Sequence, residues 1–153
     1  MSQGTLIILI YLIMALIAGV TVPVQAGLNA RLSFFAGSPI TASIISFMAG
    51  TGTLIVYALI TRVPLPGAAA FAGSPWWIWT GGILGAFFVT SCIILVQKVG
   101  AVSMLALILA GQMAASVILD HYGILGYNVN PVSAAKIAGI ILIFAGVMLI
   151  RIG

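Results

Sequence analysis

Hydrophobic side chains dominate five stretches of the chain, at about residues 6–32, 39–60, 75–97, 102–120 and 132–150. Charged, Gly-rich and Pro-rich segments separate them. The first run exceeds the roughly 20 residues that a helix needs to cross a bilayer. It contains Pro23, which has no N–H to give the Gly19 carbonyl and is expected to bend the helix. Segment 62–74 is rich in Pro, Gly and Ala, and Pro64 and Pro66 argue against continued helix there. The third run opens at Pro75, a favourable first helical position. The turn Lys98-Val99-Gly100 is short enough to make the third and fourth runs antiparallel neighbours. Gly123, Gly126, Asn128, Asn130 and Pro131 mark the next loop, and the fifth run stops at Arg151. The pattern predicts an all-α polytopic membrane protein: one domain, residues 1–153, of five transmembrane helices, with no room for a soluble domain.

Composition supports the bilayer as solvent. The 153 residues are 63% hydrophobic and 4% charged, with a mean hydropathy of +1.36. A soluble domain is about one quarter charged, and 4% could not coat a globule of this size. The net charge of +4 does not point to nucleic acid, because the basic residues are dispersed at the ends of the runs. Residues 1–30 carry no charged side chain, so the first run lacks the basic flank of a secretory signal and reads as a retained helix. Cys92 is the only cysteine, which excludes an intrachain disulfide, and inside an apolar run it reads as a buried inert thiol. One histidine, His121, and one acid, Asp120, exclude most acid–base, metal and triad chemistry. No cofactor, metal or enzymatic activity is expected.

The five basic residues bear on orientation. With the N-terminus on one side, Arg31, Lys98 and Arg151 fall on the opposite side, and Arg62 and Lys136 on the same side. Lys/Arg bias sets topology, and three against two is nearly no bias. An odd number of spans puts the chain ends on opposite sides, so two copies joined head to tail would be inverted. Inverted repeats are the usual design of alternating-access carriers. The pattern fits half of such a carrier, completed by an inverted copy of itself or by a related, oppositely oriented chain.

Intramembrane polar residues are the candidates for chemistry. Gln25 and Asn29 lie one helical turn apart, just after Pro23. Either they line a substrate path, or their amides hydrogen-bond across a helix interface. Gln112, Ser116 and Asp120 share one stripe of the fourth helix, with Gln112 near mid-membrane. Asp120, beside His121, is either a titratable coupling group at the mouth of a pathway or a helix-end residue in the headgroup zone. Ser43, Ser46 and Ser91 could add hydroxyls, although serine also bonds its own helix backbone. Trp76, Trp77 and Trp79 read as an interfacial belt or as a cation–π site. Gly81 and Gly85, and Gly139 and Gly146, could let helices approach closely, within the chain or across a dimer. No acid lies deep in any span, so coupling through a buried carboxylate is not expected.

Several separated segments resemble one family in order. They are Pro23-Val-Gln-Ala-Gly-Leu-Asn-Ala-Arg31, Gly37-Ser-Pro39 with Ser46-Phe-Met-Ala-Gly50, Pro75-Trp-Trp-Ile-Trp-Thr-Gly-Gly-Ile-Leu-Gly-Ala-Phe87, and Ala110-Gly-Gln-Met-Ala-Ala-Ser116 with Leu119-Asp120-His121. Together they resemble the YdcZ family of the drug/metabolite transporter superfamily. The resemblance covers essentially the whole chain and implies a small transporter in a bacterial inner membrane. That family occurs in single, paired and fused double-length forms. The stretch Gly139-Ile-Ile-Leu-Ile-Phe-Ala-Gly146-Val is similar to the last helix of small multidrug resistance proteins. That likeness implies dimer contacts at Gly139 and Gly146. The glutamate those exporters carry in their first helix is absent here, which weakens a proton-coupled multidrug exporter.

The function expected is a dual-topology transporter moving a small polar or cationic molecule by alternating access. Gln25, Asn29, Ser46, Ser91 and Gln112 would bind substrate, and Asp120 or His121 would couple. The alternative is a membrane scaffold or accessory subunit whose polar residues only hold helices together. A membrane enzyme is the weakest reading, because one Asp and one His at a helix end are too few convergent groups.

Overall fold

The computed structural model describes residues 3–64 and 66–152. Five α-helices carry the chain: α1 (Gln3–Ala36), α2 (Pro39–Ile60), α3 (Gly81–Val99), α4 (Ala101–Tyr122) and α5 (Ala134–Ile152). Four segments, Gln3–Ala36, Pro39–Ile60, Trp76–Val99 and Ala101–Tyr122, are long and apolar enough to cross a membrane. α5 has 19 residues. Its apolar part, Ala134–Ile150, is shorter than those four segments. No strand occurs among the described residues. The chain is an all-α polytopic membrane protein.

The large side chains point outward. Leu16, Phe34, Phe35, Leu59, Ile83 and Leu142 are all largely exposed, while the buried positions are mostly small: Ala26, Ala30, Ser33, Ala42, Ser43, Cys92 and Ala110. In water this would be an inverted core. In lipid it is expected, because burying a leucine gains little there, and helices associate where small residues let their backbones approach.

The helices group into two compact units, Met1–Gln97 and Lys98–Gly153. In the first unit α1 runs unbroken through Pro23. It ends at a tight turn where Gly37 takes φ +79°. Ser38 then caps α2, its Oγ accepting the Thr41 N–H at 3.1 Å, and Pro39 occupies the first turn. So short a turn sets α1 and α2 side by side and antiparallel. α2 stops where Arg62 enters the left-handed region at φ +54°. There the Arg62 N–H donates to the Leu59 carbonyl and the Val63 N–H to the Ala58 carbonyl, a Schellman ending in which arginine replaces the usual glycine.

The third span begins differently from the expectation at Pro75. Pro75 is extended (φ −66°, ψ 140°) and caps a 3-10 turn over Trp76–Thr80, and α-helical geometry starts only at Gly81. Four consecutive bulky positions, Trp76, Trp77, Ile78 and Trp79, occupy this turn with their side chains exposed, and Thr80 leads into Gly81 and Gly82.

In the second unit α4 and α5 are joined by a braced loop. The Asn130 N–H donates to the Asp120 carbonyl at 2.8 Å, and Ser133 Oγ accepts the Lys136 N–H at 3.3 Å to cap α5. Lys136 Nζ donates back to the Asn130 and Pro131 carbonyls. The side chain of Arg151, one of the five charges counted for orientation, lies outside the described residues. Gly123 ends α4 at φ +61°, and a Cβ there would stand 2.8 Å from Val129 and 3.2 Å from the Tyr127 carbonyl. Gly123→Ala therefore meets both an unfavourable backbone and a collision, and should cost about 1–2 kcal/mol. Gly37→Ala meets only the backbone term, since nothing lies within 4 Å. Thermal unfolding of the detergent-solubilised protein should lower the melting temperature more for Gly123→Ala than for Gly37→Ala.

Candidate functional site

The polar residues of α1 fall on one face. Val22, Gln25, Ala26 and Asn29 follow the i, i+3, i+4, i+7 spacing of a single helical stripe, and with Phe88, Val89 and Cys92 of α3 they enclose a cavity of about 10 Å³. That is about room for one water molecule. Asn29 is 6% exposed, and its Nδ2 is the one buried side-chain nitrogen or oxygen that lacks a hydrogen-bond partner among the described residues. Leaving a buried amide donor unpaired costs about 1–3 kcal/mol, so native proteins rarely retain one without a use for it.

A second, larger space adjoins it. A groove of about 250 Å³ is lined by Gln25 of α1, Val89 of α3, and Ser46, Phe47, Gly50, Thr51 and Leu54 of α2. Gln25 and Val89 border both cavities. The α2 residues again share one helical face, and Gly50 opens it. The hydroxyls here differ from most others in the helices. Thr21, Ser43 and Thr53 each donate to a carbonyl of their own helix. Ser46, Thr51 and the Gln25 amide make no hydrogen bond among the described residues. The groove is thus an apolar slot holding three uncommitted polar groups, a composition suited to binding a small polar molecule.

Other polar groups are committed to holding the helices. Gln97 Nε2 donates to Ser33 Oγ at 2.9 Å, and Ser33 in turn donates to the Ala30 carbonyl at 2.7 Å, joining α3 to α1. Ser43 donates to the Pro39 carbonyl, so the Thr90 hydroxyl, 2.9 Å away, donates to Ser43 and joins α3 to α2. Gly85 lies against the Phe47 ring, which a Cβ would touch at 3.5 Å. These contacts fix the α1–α2–α3 geometry around the groove.

Of the residues singled out from sequence, Gln25, Asn29 and Ser46 come together here. Ser91 is half-buried and lines neither cavity, whereas its neighbour Cys92 lines the smaller one. Gln112 lies in the second unit, exposed and without a hydrogen bond among the described residues. His121 Nδ1 accepts the Val132 N–H at 3.2 Å, which holds its proton on Nε2 and braces the α4–α5 loop. Asp120 sits in the same last turn of α4, half-buried. A Cβ at Gly81, Gly139 or Gly146 would meet nothing within 4 Å. Gly146 borders an apolar groove of about 370 Å³ between α4 and α5. Trp76 is 78% exposed, and Trp79 packs on Phe71 with ring centroids 5.4 Å apart. Thr51, Thr90, Ser33 and Gln97 carried no pattern that set them apart along the chain. Ser33, Gln97 and Thr90 find their partners on other helices, and Thr51 lines the groove without one among the described residues.

If the Ser43–Thr90 bond joins α2 to α3, the two residues should be coupled. In a cycle of Ser43→Ala and Thr90→Val, measured by unfolding in detergent, the double variant should differ from the sum of the singles by about 0.6 kcal/mol, within the range seen for interhelical bonds in membranes. Strict additivity would mean no such bond.

The geometry can be set beside known proteins. The family model described as "Putative inner membrane exporter, YdcZ" matches residues 10–149. Inner membrane protein YdcZ of Escherichia coli (strain K12) is 28% identical over 134 residues, covering 87% of this chain and 89% of that protein. No solved structure matches. With its apolar helices and a family match spanning nearly its whole length, this chain belongs to the YdcZ family of membrane proteins.

Proposed function

We propose that this chain is a small inner-membrane carrier that moves a small polar or cationic molecule by alternating access. The observation that carries the reading is the groove between α1, α2 and α3, where Gln25, Ser46 and Thr51 present polar groups with no side-chain hydrogen-bond partner among the described residues. Groups of this kind are costly in a bilayer unless something pairs with them, and a passing solute can do so. The exporter description of the family and the inner-membrane name of the relative support both the activity and the location.

The working form is an antiparallel dimer of two identical chains, or of this chain with a related inverted one. The three-to-two charge count supports it, as do the open faces at Gly139 and Gly146. Gln112, Asp120 and His121 belong to the second unit, and Asp120 and His121, the chain's one acid and one histidine, are its candidates for coupling.

A scaffold reading has its own support in the Ser33–Gln97 and Ser43–Thr90 bonds, where polar residues do hold helices together. The two readings separate by variant. In reconstituted vesicles assayed with a panel of small metabolites and amines, the carrier reading expects Gln25→Leu and Ser46→Ala to reduce flux about tenfold, the scale of one lost hydrogen bond, with melting temperature unchanged. The scaffold reading expects no flux from the native protein and a lower melting temperature in both variants.

A further inference from the structure

We infer that the groove accepts a neutral molecule bearing a hydrogen-bond acceptor, such as an amide, carbonyl or hydroxyl, and discriminates against organic ammonium ions, with Asn29 as the specificity-determining residue. The inference rests on reading the groove as the carrier's binding site. It narrows the class of solute.

The first ground is the orphan donor. Asn29 is more than nine-tenths buried, its Nδ2 has no partner among the described residues, and it lines the recess bordered by Gln25 and Val89. Val22, Ala26, Phe88 and Val89 around it offer no side-chain acceptor, and the Gln25 amide on the same recess makes no bond to it. A solute acceptor delivered to this point, directly or through the single water the recess can hold, pairs with the Nδ2 donor.

The second ground is the absence of charge. Apart from the Cys92 thiol, neither cavity is lined by an ionisable side chain. The chain's one acid, Asp120, stands in the last turn of α4 and not in α1, α2 or α3. An ammonium stripped of water needs a carboxylate or several carbonyls in return, and a carboxylate needs a cation. Arg31, two residues beyond Asn29, is exposed rather than turned into the recess. Groups that are uncharged and include an unpaired donor match a neutral solute with an acceptor. Its apolar part would lie against Phe47, Leu54 and Val89 in the 250 Å³ groove.

The test is protection of the reconstituted protein against thermal unfolding by three probes of one carbon skeleton: isobutyramide, isobutyrate and isobutylammonium. Isobutyramide should raise the melting temperature by about 2 °C or more, and the two ions should leave it unchanged. In Asn29→Asp the order should invert, with isobutylammonium now protecting. Asn29→Leu should keep or raise the melting temperature, since it removes the orphan donor, and should lose protection by the amide. Protection by isobutylammonium equal to or greater than that by isobutyramide in the native protein overturns the inference while leaving the binding site standing. Protection by none of the three, together with no flux of any of them, removes the binding-site reading as well. A lower melting temperature in Asn29→Leu would mean the amide is a structural bond, and would also overturn it.

Discussion

Charge is scarce in this chain, and the structure follows from that scarcity. Five basic residues and one acid among 153 leave the membrane interior to neutral groups, so any polar chemistry there must come from amides and hydroxyls. Such groups are costly in hydrocarbon unless paired, and several find partners: Ser33 with Gln97, Ser43 with Thr90, Thr21 and Thr53 with their own helix. The first unit is built by those pairings. Its small buried residues let the helices close, and the one buried unpaired donor among the described residues, on Asn29, lies at the recess the closure leaves.

The same scarcity acts outside the membrane. A protein with few charges has little Lys/Arg bias with which to fix its orientation, and here the loop charges nearly balance. A carrier assembled from one chain in two orientations gains inverted symmetry without gene fusion, the symmetry on which alternating access commonly depends. Neutral chemistry inside and balanced charge outside are two consequences of one composition.

Much of the fold was legible along the chain because lipid imposes a simple rule: long apolar runs become helices. Pro39, with Ser38 before it, marked the start of α2 through capping chemistry that is local in sequence. The start of α3 was less legible. Pro75 suits a helix start, yet it stays extended and the run Trp76-Trp77-Ile78-Trp79 takes up a 3-10 turn first, which residue preference does not encode. For the site, Gln25 and Asn29 stood out because amides are rare in apolar runs. Thr51 and Cys92 did not, since each is common in helices and acquires meaning only from what α1 and α3 place beside it. Ser91 and Cys92 show the limit most plainly. They are adjacent in sequence, and a rotation of about 100° along the helix places only the second at the recess.

The central claim, that one chain works in both orientations, is tested most directly by the sidedness of a loop. A single cysteine at Asn128, in the exposed loop between α4 and α5, is introduced in a Cys92→Ser background. It is then labelled with an impermeant thiol reagent in intact cells and in inverted membrane vesicles. Two orientations predict substantial labelling from each face, with the two fractions complementary. Complete labelling from one face and none from the other would contradict the claim for a homodimer and leave only assembly with a separate, inverted chain.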